Sequence, residues 1–582
     1  MDADPRHVIV LDGLWRFAID QDPEYHRGYD YSRATSLRHW ESVPVPGCWN
    51  RYAERYDLYE GVAWFVREFH LPHLPPDAVA TLHFGGVNYR CDVFLNGQRL
   101  GGHEGGYTAF ALDASGALNV GANRLAVRVD NRHLRMRLPA VLGWYNYGGI
   151  HREVRLVVTA EAQIATITVA ATPRGAGAEG TVRVAAAANH RALTCRVTLR
   201  DPQDEVVWEG EAAGAGAWLL PFALAQAQPW SPDAPAALYR CGVELADGER
   251  ALDRHTVSFG VRRLEVSGRR ILHNAEPLHL RGICYLCDHP ETGVTCDPEA
   301  VRQDLDALEA LSVNCLRSHF PVPDLFLDEC DRRGMMLWLE APIYCVAPPA
   351  DQRGSIFADD AVTALALQML EEMVAQAINH PSVIIWSVGN ECNTEHPEAE
   401  GFFRACVERV RSLDPTRLVS YAALYGGIGC VADLVDVISI NQYWGWYDRV
   451  AQDGIGEEQR VTLPIELPQL EQCLAEKSAL GRPLLLSEFG ADAEPGYRCP
   501  DCALWSEDYQ AALLARTLEI AARFPAVCGT FPFAFADYRD PSKPITQHWH
   551  GLNLKGIVSW HREPKLACEP LGEAYQQPRR TP

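Results

Sequence analysis

Two glutamates, Glu391 and Glu488, each close an apolar run, Trp386-Ser387-Val388-Gly389-Asn390-Glu391 and Leu486-Ser487-Glu488-Phe489-Gly490-Ala491-Asp492. A pair of carboxyls can divide glycosidic bond cleavage between them, one protonating the leaving oxygen and the other attacking the anomeric carbon. Downstream, Asn553-Leu554-Lys555 sets a neutral amide donor two residues from an ammonium. That combination can orient and neutralise a carboxylate. Together the three motifs point to hydrolysis of a glycoside whose sugar is itself an acid, a uronide.

For two distant glutamates to meet, the chain must hold them on one scaffold. After about residue 263 short apolar strands alternate with helical periodicity, the pattern of a parallel α/β architecture. Asp297-Pro298 caps a helix with Val301, Leu305, Leu308 and Leu311 on one face, and Gly334 stops the next helix before a strand. Strands are expected near 279–284, 313–317, 335–339, 383–388, 417–421, 436–440, 483–487 and 526–532, with a short, irregular link between the fifth and sixth. Eight such strands make a TIM barrel, whose chemistry lies at the C-terminal strand ends. Glu391 then follows strand four and Glu488 ends strand seven.

The preceding chain is all-β. Residues 1–157 read as a β-sandwich, with Asn96-Gly97 between Val93-Phe94-Leu95 and Gln98-Arg99-Leu100 as a strong hairpin signal. Residues 158–262 shift to Ala, Gly and short β-rich runs, which suits an immunoglobulin-like β-sandwich. The barrel takes 263–582. A length of 582 residues allows two to four domains.

Net charge of −23 argues against nucleic acid or an anionic membrane as partner, because long-range repulsion opposes approach. The start, Met1-Asp2-Ala3-Asp4-Pro5-Arg6, lacks the basic segment and apolar run of a signal peptide, and no later run has membrane length. A soluble, cytoplasmic protein is expected, and its 18 cysteines are then reduced thiols rather than a disulfide framework. No metal is assigned. Cys284/Cys287 and Cys499/Cys502 form two Cys-x-x-C pairs that would make a zinc site only if the fold brought all four thiols together.

Over nearly its whole length the chain resembles glycoside hydrolase family 2, and within it the β-glucuronidases. The resemblance is carried by Leu11-Asp12-Gly13-Leu14-Trp15, Asn146-Tyr147-Gly148-Gly149-Ile150-His151-Arg152, Trp230-Ser231-Pro232, Asn379-His380-Pro381-Ser382-Val383, Asn441-Gln442-Tyr443-Trp444-Gly445-Trp446-Tyr447 and the motifs above. It implies a jelly-roll sugar-binding domain, an immunoglobulin-like domain and a catalytic barrel, with hydrolysis that retains anomeric configuration and needs no organic cofactor. It also implies Glu391 as acid/base, Glu488 as nucleophile, Asn390 on the sugar 2-hydroxyl, and Tyr443, Tyr447, Asn441 and His319 lining the site. Asn553 and Lys555 match the carboxylate-reading pair. The implied partner is a small-molecule or oligosaccharide β-uronide, and homo-oligomers follow only by analogy with the family.

Several positions depart from the family pattern. Leu286-Cys287-Asp288 replaces His-Glu-Asp, Phe533 replaces a tryptophan, Gly143 an aspartate and Trp549 an arginine, and the segment Arg317-Ser318-His319 is one residue short, which puts the reach of His319 in doubt. The segment Pro342 to Phe357 is short and would leave an open entrance. These departures leave β-galacturonidase and β-galactosidase as alternatives, and a sugar-binding protein without turnover as the alternative of another class. The bland readings are a solvated loop for Asn553 and Lys555, packing for the tyrosines and a core position for His319.

Overall fold

The structure is a computed structural model that describes residues 5–20, 37–133, 137–188, 192–346, 356–450, 461–543, 545 and 548–577. Residues 347–355 of the expected short entrance loop lie outside the described residues.

The N-terminal region is a jelly-roll-like sandwich of two antiparallel sheets, one of four strands and one of six. Along Val79–Phe84 buried and half-buried residues alternate, as strands with one covered face require. Trp15, Phe17, Phe65, Val93 and Val127 fill the space between the sheets. At the Asn96-Gly97 hairpin both residues have positive φ, 52° and 80°, the backbone that a tight two-residue turn demands and that these residue types tolerate. A second sandwich of three and four strands follows, from Ala162–Arg174 to Arg250–Gly260, around Val197, Trp218, Leu220 and Phe259.

The C-terminal region is a closed eight-stranded parallel barrel. Its strands are β1 (Leu280–Leu286), β2 (Cys315–His319), β3 (Met336–Glu340), β4 (Val383–Asn390), β5 (Leu418–Leu424), β6 (Val437–Asn441), β7 (Leu484–Phe489) and β8 (Val527–Pro532), with β1 pairing β8 to close the ring. Every residue of β2, β3, β4, β6, β7 and β8 is buried, as strands covered on both faces must be. The helix after β1, Pro298–Ala310, starts where the Asp297 side chain accepts from the backbone N–H groups of Glu299 and Ala300, and it buries Val301, Leu305 and Leu308. Between β5 and β6 there is only a turn of 3-10 helix, Gly429–Val431, matching the irregular link expected there.

The jelly-roll packs onto the mouth of the barrel. Arg539 pairs with Asp57 at 2.7 Å, and Asp288 accepts from the Tyr147 hydroxyl at 2.9 Å and from the backbone of Arg539 at 2.7 Å. Asp288, next to the divergent Leu286 and Cys287, therefore ties the two domains together. Among the described residues no helix is long and apolar enough to cross a membrane.

Candidate active site

Glu391 is the first residue beyond β4, and the strand bends to present it. Pairing with β5 shifts between Ser387 and Asn390, and Gly389 has φ 155° with Ile343 O lying 2.9 Å from where a Cβ would stand. Glu391 itself adopts φ 53°, an uncommon conformation for a residue with a side chain, held by its N–H donating to Ala422 O at 2.9 Å.

Glu488 lies within β7 with both oxygens engaged. Arg317 Nη1 donates to Oε1 at 2.6 Å, and the Tyr443 hydroxyl donates to Oε2 at 2.7 Å. Arg317, from β2, is fully buried, and its Nη2 also reaches Glu340 Oε2 at 2.9 Å and Asn390 Oδ1 at 3.0 Å. The Ser387 hydroxyl adds a 2.8 Å bond to Glu340. Burial pushes the Glu340 carboxyl up to about 7 against the pull of Arg317.

Asn441 connects the two glutamates' surroundings. Its Nδ2 donates to Glu391 Oε1 and to Asn390 Oδ1, both at 2.8 Å, while its Oδ1 accepts from Ser487 Oγ at 2.7 Å. An unbroken chain thus runs Glu391, Asn441, Asn390, Arg317, Glu488. Glu391 keeps some contact with solvent although protein atoms crowd around it. That surrounding, followed by the nearby Glu488 charge, raises its carboxyl to about 8.

His319 reaches the site despite the shortened segment. Its Nε2 lies 3.8 Å from Glu488 Oε1, and its Nδ1 lies 3.3 Å from Glu340 Oε1 without hydrogen-bond alignment. Burial and then Arg317 hold it well below the usual imidazole range, so it is neutral. Phe533, replacing the family's tryptophan, packs edge-on against His319, Tyr443 and Tyr538. Cys345 Sγ approaches Glu391 Oε2 at 4.0 Å.

Tyr447 packs on Tyr443 at 5.1 Å, and Lys555 Nζ lies 4.8 Å and 5.7 Å from their two ring centres. Lys555 is not an unpaired cation. Its Nζ donates to Asp492 Oδ2 at 2.7 Å with both side chains buried. The Asn553 Oδ1 accepts from Lys555 N at 3.3 Å, and among the described residues its Nδ2 makes no hydrogen bond.

The site therefore gathers Glu391, Glu488, Asn390, Asn441, His319, Tyr443, Tyr447, Asn553 and Lys555. Sequence reasoning missed Arg317, Glu340 and Asp492 as members. For Arg317 and Glu340 the available signal was a charged residue inside or ending a barrel strand, where only a partner makes burial tolerable, whereas Asp492 lies three residues beyond β7 and carries no such signal. Of the two Cys-x-x-C pairs, the first has other neighbours, Cys284 Sγ lying 3.2 Å from Ser487 O and Cys287 Sγ 3.2 Å from Cys296 Sγ, while in the second Cys502 N donates to Cys499 O at 2.8 Å. Among the described residues no group of three His, Cys, Asp or Glu could hold a metal ion.

Three family descriptions match in order along the chain: the glycosyl hydrolase family 2 sugar binding domain over residues 8–160, glycosyl hydrolases family 2 over 162–262, and the family's TIM barrel domain over 264–578. A β-glucuronidase of Paenibacillus borealis is 27% identical across 98% of this chain and 97% of its own length, and that of Mus musculus is 27% identical across 99% and 91%. Among solved structures, Bifidobacterium dentium β-glucuronidase complexed with coumarin-3-O-glucuronide has a TM-score of 0.88 at 25% identity, covering 100% of this chain and 98% of that one. An Eisenbergiella tayi β-galacturonidase bound to galacturonate has a TM-score of 0.84 at 26% identity, covering 98% of each chain. With matches across all three domains and a barrel built around paired glutamates, the chain belongs to glycosyl hydrolase family 2.

Proposed function

We propose that the protein is a retaining, exo-acting β-glucuronidase-like hydrolase, with Glu488 as nucleophile and Glu391 as general acid/base. The observation that carries the reading is the unlike surroundings of the two carboxyls. Two donors, Arg317 and Tyr443, face Glu488. Burial and the Glu488 charge favour the protonated form of Glu391 up to about pH 8. One group is poised to accept a bond to carbon and the other to give up a proton.

In the first step a Glu488 oxygen attacks the anomeric carbon as the glycosidic oxygen leaves with the Glu391 proton. In the second, Glu391 takes a proton from water, whose oxygen displaces Glu488 from the sugar. The free Asn390 amide is the group for the sugar 2-hydroxyl, and Asn553 with the lysine region takes the C6 carboxylate. A β-galacturonide is the second reading, favoured by the likeness to the Eisenbergiella tayi enzyme and by Gly143, which offers no side chain to choose between hydroxyl configurations.

Initial rates on matched nitrophenyl β-glucuronide, β-galacturonide and β-galactoside, with Glu488→Ala as blank, test this. Uronide turnover lost in that variant is expected. Preference for the galactoside would keep the two-glutamate chemistry and remove the uronide assignment.

A further inference from the structure

The carboxylate end of the proposed site has a charge deficit. Lys555, the lysine that the motif offers, is matched one to one by Asp492, so this buried pair brings no net charge to an incoming anion. Binding a third charge there without another cation would leave two carboxylates around one ammonium, which is costly in a partly dry pocket.

A second lysine, Lys543, approaches the same Tyr447 ring as Lys555. Strand β9 (Tyr538–Arg539) pairs antiparallel with β10 (Leu552–Asn553), so that Tyr538 faces Asn553, and the connecting loop begins at Asp540. There the Asp540 carboxylate accepts from Ser542 N at 3.0 Å and Ser542 Oγ at 2.6 Å, and Lys543 N donates back to Asp540 O at 3.0 Å. This closed turn fixes where Lys543 leaves the backbone. Its Nζ lies 5.8 Å from the centre of the Tyr447 ring and 5.2 Å from that of Trp549, two aromatic faces that hold a cation. Lys555 Nζ lies 4.8 Å from the same Tyr447 ring. Among the described residues no carboxylate oxygen comes within ion-pair distance of Lys543 Nζ.

We propose that Lys543 is the specificity-determining cation of this site, supplying an ammonium not tied into an ion pair, as Lys555 is by Asp492, and contacting the substrate carboxylate alongside the free amide of Asn553. The inference rests on the uronide reading above. The field of Lys543 already reaches the pocket: burial pushes the Asp492 carboxyl up, but Lys555 and then Lys543 bring it below its ordinary value. A half-buried lysine on a loop can also approach the anion without first giving up another partner, which Lys555 cannot. Trp549 and Tyr447 then act as the walls that aim it.

The test compares wild type, Lys543→Met and Lys543→Arg on nitrophenyl β-glucuronide and β-galacturonide. Methionine keeps the apolar stem on Trp549 and Tyr447 and removes only the charge. The expected result is a KM on the preferred uronide raised about tenfold or more in Lys543→Met with a smaller change in kcat, a loss that shrinks as salt is added, and recovery to within about threefold in Lys543→Arg. A Lys543→Met KM within twofold of wild type, or an arginine variant as impaired as the methionine one, would overturn the proposal while leaving the uronide reading intact. A wild-type enzyme that turns over hexosides and no uronide would remove both.

Discussion

Arg317 Nη1 lies 2.6 Å from Glu488 Oε1, and the same guanidinium holds Glu340 at 2.9 Å, so one buried cation stands between two buried carboxylates. Removing it leaves both acids without a countercharge. Arg317→Met should lose about 3–5 kcal/mol of stability, the scale for breaking a buried pair, together with nearly all activity. Urea denaturation with matched kinetics checks this. A variant within about 1 kcal/mol of wild type would mean the network is not held by this arginine.

The pH dependence follows from Glu391. Its carboxyl is raised to about 8, so kcat/KM should fall as pH rises through that value and the acid loses its proton. A profile flat beyond pH 9.5 would contradict the assignment.

The same displacement has a sign for stability. Between the ordinary carboxyl value of 4.5 and about 8 the folded protein holds a proton that the unfolded chain releases, so this group's contribution to stability falls as pH rises through that window. Each unit is worth about 1.4 kcal/mol. Glu391→Gln should therefore raise the melting temperature more at pH 8 than at pH 5, measured by calorimetry at both.

Much of the scaffold was legible because it rests on short-range rules. Apolar runs, Asp297-Pro298, Gly334 and Asn96-Gly97 each specify local backbone, and the eight strand positions lie within a few residues of those observed. The placement of Glu391 and Glu488 at strand ends follows from that register. What pairs with what was not legible. Arg317 and Glu488 are 171 positions apart, as are Lys555 and Asp492 by 63, and only closure of the barrel decides that they touch. His319 shows the same limit: counting residues along one strand end suggested it fell short, whereas the strand's position in the ring brings it beside Glu488.

Tyr443 supplies the second donor to Glu488, at 2.7 Å. Tyr443→Phe keeps the ring on Tyr447 and Phe533 and loses only the hydroxyl. A kcat lower by about 10²-fold, with KM changed much less, is expected for one donor removed from a site of changing charge. Equal losses in kcat and in thermal stability would point to packing instead.

Asp492→Asn strands the Lys555 ammonium in a buried site and should cost about 3–5 kcal/mol. Combining it with Lys555→Met removes both charges and should recover most of that loss, a coupling that a double-mutant cycle reads directly. Additive costs in the double variant would show that the two side chains do not depend on each other.

The division of labour between the two glutamates is tested most directly by trapping the covalent intermediate. The protein would be incubated with an activated 2-deoxy-2-fluoro β-glucuronide, digested, and its peptides mapped by mass spectrometry. A single added fluoro-uronosyl group on Glu488, formed far more slowly in Glu391→Gln unless the leaving group needs no proton, is the expected result. An adduct on Glu391, or full turnover with no covalent species at all, would contradict Glu488 as the nucleophile and Glu391 as its acid/base partner.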